Sequence, residues 1–176
     1  MLLVGRSDDD IGFRVLERRR VFVYLSKGGI SEIDEAATER GFSALEEFSS
    51  LITRYNVDRI ICLGTATLRR ASNGPWFVDQ VKRRFGISIE IINGQREAEL
   101  IFKGISLSGL GSYDTGLVVD IGGGSVEFVL VQEGSLIQSW SFDVGISVLR
   151  NNIDRVDPPS EPDHMNMRKY VNKHCS

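Results

Sequence analysis

The chain has 176 residues, 41% apolar and 26% charged, with 21 Lys and Arg against 24 Asp and Glu, a net charge of -3. This composition suits one globular domain, or one plus an extension, and excludes collagen, low-complexity disorder and a disulfide scaffold. So balanced a charge does not advertise general nucleic-acid binding, so a phosphate polymer would have to be held by a local basic patch or backbone amides.

Cys62 and Cys175 form no CxxC pair, and with His164 and His174 they have no zinc spacing. They read as a buried thiol and a tail thiol, as in a reducing compartment. No apolar run approaches the ~18–20 residues of a membrane span. The start, Met1-Leu2-Leu3-Val4-Gly5, is too short for a signal peptide. These features predict a soluble cytoplasmic protein.

In chain order, residues 13–16 and 21–25 read as strands, the second from its alternation of Val21, Val23 and Leu25 with Phe22 and Tyr24. Ser7-Asp8-Asp9-Asp10 reads as a turn, so residues 1–4 become a short strand that completes an opening meander. Ala37, Gly41, Ala44, Leu45, Phe48 and Ile52 recur at helical spacing and predict a helix over 32–55, with Glu35, Glu39, Arg40, Glu46 and Glu47 solvated. Residues 59–63 have the apolar run of a buried parallel strand. A helix over 75–85 with Pro75 in its first turn, a strand over 87–92 and a helix over 95–107 follow. Strands at 117–120 and 126–131 flank three glycines and predict a hairpin. Strands alternating with helices give an α/β fold. The strands at 59–63, 87–92 and 117–120 are expected in one sheet, with Val119 buried and the helices at 32–55 and 75–85 packed on it. From Asn151 the prolines Pro158, Pro159 and Pro162 mark a linker, then a tail helix with little to pack on.

Three strand ends carry chemistry. In Asp120-Ile121-Gly122-Gly123-Gly124-Ser125-Val126-Glu127 a carboxylate ends a strand, and glycines without Cβ follow, where backbone N–H groups can close on an anion. Asp120 beside that anion would hold Mg2+, which keeps most of its waters. Glu127 shares a strand face with Val129 and Val131, a costly place for an acid without a partner. A plain hairpin turn is the alternative, and the flanking Asp, Ser and Glu weigh against it. The missing Gly-Lys-Ser/Thr excludes a Walker loop. In Asn93-Gly94-Gln95-Arg96-Glu97-Ala98-Glu99, Glu97 falls in a first helical turn, where a structural acid is also favoured. In Gly64-Thr65-Ala66-Thr67-Leu68-Arg69-Arg70, Arg69 stands at a strand's C-terminal end, where open α/β sheets bind ligands. A lone arginine there is otherwise a solvated one.

Together with Val144-Gly145, these stretches resemble the exopolyphosphatase/guanosine pentaphosphate phosphohydrolase (Ppx–GppA) family, within the sugar kinase, heat-shock-protein 70 and actin superfamily. The resemblance covers most of residues 13–150 and implies an actin-like ATPase (ribonuclease H-like) α/β domain, a mixed sheet with helices on its faces. It implies Glu97 as catalytic base, Asp120 as a metal-site acid, Glu127 as a second metal- or water-site acid, and Gly122, Gly123, Gly124 and Ser125 as a phosphate loop. Arg69, with Thr67 in the same turn, falls by the phosphate channel. The implied activity is Mg2+-dependent release of terminal phosphate from polyphosphate, or of the 5′ phosphate from guanosine pentaphosphate.

The chain departs from the pattern in three places. The family's opening Asp-x-Gly-Ser/Thr-Asn-Ser/Thr loop is not in the sequence, its second actin-like domain would follow Gly145, and Glu99 stands where many members have Arg. The expected layout is therefore a phosphatase domain over 1–148 without its first phosphate loop, and a linker and tail over 149–176. A catalytically silent polyphosphate or guanosine tetraphosphate binding module, or an interaction domain keeping the fold alone, is the competing expectation. An open cleft and uncovered apolar face would favour a homo-oligomer. Neither nucleic acid nor membrane is an expected partner.

Overall fold

A strand hairpin begins the chain, β1 (Leu2–Asp8) pairing antiparallel with β2 (Gly12–Arg19). The computed structural model describes residues 1–8, 12–107, 115–153 and 158–175. Part of the acidic turn expected at 7–10 lies outside them. The expected strand at 21–25 is absent. That segment instead turns, with Tyr24 at φ 52. Arg40, read from the sequence as solvated, is the reason: its Nε donates to Val23 O at 2.8 Å and its Nη2 to Tyr24 O at 3.3 Å, taking acceptors a ladder would need.

Asp34 caps α1 (Glu35–Arg54), accepting from Ala37 N. Next come β3 (Cys62–Gly64), a short α2 (Ala66–Arg70), α3 (Gly74–Phe85), β4 (Ile89–Ile91) and α4 (Gly94–Leu107). Pro75 stands in the first turn of α3, and Gly86, at φ 68, ends it in the left-handed region that glycine adopts without strain. The core over β3 and β4 joins Ala37 and Phe42 of α1, Phe77 and Val81 of α3, and Ile87. Phe42, outside the face read from the sequence, stacks on Phe77 with ring centres 5.2 Å apart. Gly41 lets that ring approach, since a Cβ there would stand 2.9 Å from Phe77 Cζ.

β5 (Thr115–Ile121), β6 (Val126–Gln132) and β7 (Ser135–Phe142) form an antiparallel sheet in that order. The chain ends with α5 (Ile146–Asn152) and α6 (Glu161–His174), the latter started by a Ser160/Asp163 capping box. Neither β7 nor α5 was expected.

The single sheet is a correction. β3 pairs in parallel with β4, while β5 lies in a separate three-stranded sheet. A four-residue glycine loop lets β5 satisfy its backbone on β6, seven residues in register. β3 is three residues long and takes β4 as its partner. Helix α4 joins the two sheets: it leaves the end of β4 and packs Ala98 and Phe102 on Val118, Val129 and Val131. Val119 points to the other face and is 46% exposed. The mixed α/β class itself holds, with α1 and α3 packed on the parallel pair as expected. An apolar cavity of about 300 Å3 separates β1 from β3, lined by Leu2, Leu3, Ile61 and Leu63.

Candidate active site

Strand register builds the first part of the site. Asp120 on β5 stands directly opposite Glu127 on β6, which stands opposite Ser141 on β7. Residues so paired share a sheet face, and here it is the face that α4 covers. Glu127 is 1% exposed and accepts a hydrogen bond from Ser141 Oγ at 2.8 Å. The partner that an acid on that face requires is therefore a serine.

Helix α4 supplies the second part. The Asn93 side chain accepts from Arg96 N at 2.8 Å, and Glu97 N donates to Asn93 O, so the first turn is fixed from Asn93. Gly94 lies against Ser141, where any Cβ would collide with the serine side chain. That contact sets the start of α4 on the Glu127 row. Glu97 follows one turn in, its side chain 16% exposed. Its Oε2 is buried without a hydrogen-bond partner, and Arg69 Nη1 lies 3.7 Å away. Burial pushes the Glu97 carboxyl above the usual carboxylate range, and nearby Glu127 and Asp120 push the same way. Arg69 and a hydrogen bond from Thr65 oppose them and do not cancel the rise.

Arg69 ties the two parts together. It projects from α2 and donates from Nη1 to Ile92 O at 2.6 Å, at the end of β4. Beside it a cleft of about 630 Å3 is lined by Arg69, Asn93, Gly94, Ser141, Asp143 and His174.

The glycine loop packs against the opening of α2. A Cβ on Gly124 would stand 2.6 Å from Ala66 Cβ and 3.6 Å from Thr67 N. Gly122 N donates to Ser125 O, while Ile146 N and Ser147 N donate to Gly122 O and Gly123 O. The N–H groups of Gly123 and Gly124 donate to no described residue. Ser125, which the motif places in the loop, is 2% exposed. Gly145 backs the loop so closely that any Cβ would run into Gly123.

The structure thus brings Glu97, Arg69, Asp120 and Glu127 together, with Thr67 and the glycine loop adjoining through Gly124. Thr65, Ser141, Asp143 and His174 were not singled out. Ser139 and Ser141 alternate with Trp140 and Phe142 at strand period, a signal that points to β7 and its polar face. No local signal places His174, from the far end of the chain, at the cleft.

Among the described residues no group of three His, Cys, Asp or Glu is arranged to hold a metal ion. Mg2+ asks for less, since one or two carboxylates with phosphate oxygens and water complete its shell. Asp120 and Glu127, hard oxygen donors in register, fit that demand.

A buried acid raised above its usual range, with an arginine at 3.7 Å and a glycine loop adjoining, makes a candidate active site on an α/β fold. The chain belongs to the Ppx/GppA phosphatase family, which it matches over residues 3–176. It is 38% identical over 120 residues to a guanosine-5′-triphosphate,3′-diphosphate pyrophosphatase of Aeromonas hydrophila, covering 68% of this chain and 24% of that one. The corresponding protein of Photobacterium profundum is 35% identical over 117 residues, covering 66% and 23%. Among solved structures, an exopolyphosphatase from Cytophaga hutchinsonii superposes with a TM-score of 0.91 at 33% identity, over 97% of this chain and 55% of that one. An Aquifex aeolicus Ppx/GppA family member gives 0.72 at 25% identity, over 97% and 56%. The chain spans about a quarter of the length of these curated relatives and about half of these solved structures. The resemblance to that family read from the motifs is thereby established, and the mixed α/β class with it.

Proposed function

We propose that this chain carries the catalytic half-site of a phosphohydrolase that releases terminal phosphate from polyphosphate or guanosine pentaphosphate, with Glu97 as general base. The observation that carries this reading is the Glu97 carboxyl: buried, raised in pKa, with Oε2 lacking a hydrogen bond and only ion-paired to Arg69 at 3.7 Å. A base whose pKa is moved toward the working pH takes a proton from water more effectively. Arg69 and the Gly123 and Gly124 amides neutralise charge on the phosphoryl group, and Thr67 borders the same loop. Ser141 holds the Glu127 carboxylate in one orientation. Asp120 and Glu127 would hold Mg2+, whose contribution would be charge neutralisation on phosphate oxygens.

The domain boundary at residue 148 stays part of this proposal, as does a reducing, cytoplasmic setting, which the free thiols Cys62 and Cys175 support. No described helix is long and apolar enough to cross a membrane. We also read the chain as self-associating, because Leu117, Val119, Ile121 and Trp140 leave one sheet face apolar and exposed. The test of catalysis is phosphate release from polyphosphate, with and without Mg2+, by wild type and Glu97→Gln. Equal rates for the two proteins would remove Glu97 from the chemistry.

A further inference from the structure

A cavity of about 380 Å3 opens beside the glycine loop at Gly123 and shares no lining residue with the cleft at Arg69. Its walls come from distant parts of the chain, the turn at residues 24–27 and helix α5. Asn151 Nδ2 donates to Ser26 O at 3.0 Å and locks the walls together. The cavity shares a wall with the loop. A Cβ on Gly123 would stand 3.4 Å from Ser147 Oγ and 3.9 Å from Ser26 Oγ, and Ser147 N donates to Gly123 O at 2.8 Å.

Charge sets this cavity apart. Lys27 and Arg150 line it, and neither has an ion-pair partner among the described residues. By contrast Arg69, Arg70 and Arg96 each face an acid: Glu97, Asp143 and Glu99. Among the described residues that line the cavity there is no carboxylate. Two unpaired cations with two hydroxyls suit a multiply charged oxyanion and repel a metal ion. The backbone is shaped to the same end. Tyr24 holds a left-handed φ of 52, unfavourable for a bulky side chain, and is kept there by Arg40 and by Lys27 N donating to Tyr24 O at 3.1 Å. That turn carries Ser26 inward, 5% exposed, and leaves Lys27 at the cavity.

We propose that this cavity is a second phosphoryl site, holding one group of a phosphate chain whose neighbouring group lies on the glycine loop. The proposal rests on the reading above only in assigning that loop to phosphate. An inorganic polyphosphate and the phosphate chain of a nucleotide share this chemistry.

The test is calorimetric titration of the full chain with tripolyphosphate and, separately, with GTP, both without divalent metal. Replacing Lys27 and Arg150 together by alanine should weaken tripolyphosphate binding about tenfold or more, since two charge-assisted contacts are lost. The charge-keeping pair Lys27→Arg and Arg150→Lys should lose clearly less than the alanine pair, because both cations stay. Equal wild-type affinities for the two ligands would assign inorganic phosphate as what is read. GTP binding about tenfold tighter, and lost in the same double variant, would assign a nucleotide. The proposal fails if wild type does not bind tripolyphosphate, if the double alanine variant binds it as wild type does, or if the charge-keeping pair loses as much. A Glu97→Gln protein that keeps full phosphate release would overturn the catalytic reading and leave this binding result standing.

Discussion

The two faces of the β5–β6–β7 sheet invert the usual expectation. The face under α4 buries an acid, Glu127, at 1% exposure beside Val129 at 0%. The opposite face leaves Leu117, Val119 and Ile121 at 58%, 46% and 61%. Strand alternation alone assigns residues to faces, with Leu117, Val119 and Ile121 on one face of β5 and Val118 and Asp120 on the other. What separates them is cover: α4 lies on one, and no described helix packs on the other. The covered face can hold Glu127 because β7 delivers Ser141 to it. A polar site therefore sits in the interior and an apolar surface faces out.

Substitutions should separate the faces, most strongly where chemistry is involved. Glu97→Gln keeps size and removes the base, and should lower phosphate release by about 10²–10⁴-fold in a steady-state assay. Ligand affinity should stay level or rise slightly, because a negative charge near phosphate is gone. Next, Ser141→Ala strips Glu127 of its hydrogen bond inside the covered face. Urea unfolding should show a loss of about 1–3 kcal/mol, the cost of an unsatisfied buried polar group. A loss below a few tenths would mean that Glu127 does not depend on Ser141. Gly145→Ala should cost about 1–3 kcal/mol by the same measurement, because its Cβ meets the Gly123 backbone and the loop must shift.

Acid–base behaviour gives a sharper check on the covered face. Because the Glu97 carboxyl is raised, the acidic limb of the rate profile should lie above the ordinary carboxylate range and vanish in Glu97→Gln. Arg69→Ala removes a lowering influence and should move that limb further up. The sign for stability follows from linkage. A raised pKa means that this group's contribution is full below the ordinary carboxylate pKa and is lost as pH rises through the folded value. Glu97→Gln should therefore melt above wild type at neutral pH, with the gap closing in acid. The smallest effect belongs to the open face. Leu117→Ser, Val119→Ser and Ile121→Ser should each change folding stability by about 0.5 kcal/mol or less. Combined, they should raise the monomer fraction in sedimentation at tens of micromolar; an unchanged distribution would acquit this face of self-association.

Much of this was legible from residues in order. The apolar stripe from Ala37 to Ile52, Pro75 at the head of α3, and the glycines between two apolar runs each act through local chemistry, so α1, α3, α4 and the loop hairpin stand close to where they were read. The misplaced segment at 21–25 has a strand's alternation, and Arg40, sixteen residues from Tyr24, overrides it. The single sheet failed for a related reason: apolar runs announce strands but not partners, and a short hairpin loop let β6 take β5 locally. At the site, the sequence by itself determined the inventory, Glu97, Arg69, Asp120, Glu127 and the glycines, because those residue types recur at strand ends in a specific pattern. Only the tertiary structure decided which oxygen of Glu97 lacks a hydrogen bond, that Ser141 serves Glu127, that Val119 faces out and that His174 reaches the cleft. Each of these depends on contacts between segments far apart in the chain, and neither propensity nor period carries that information.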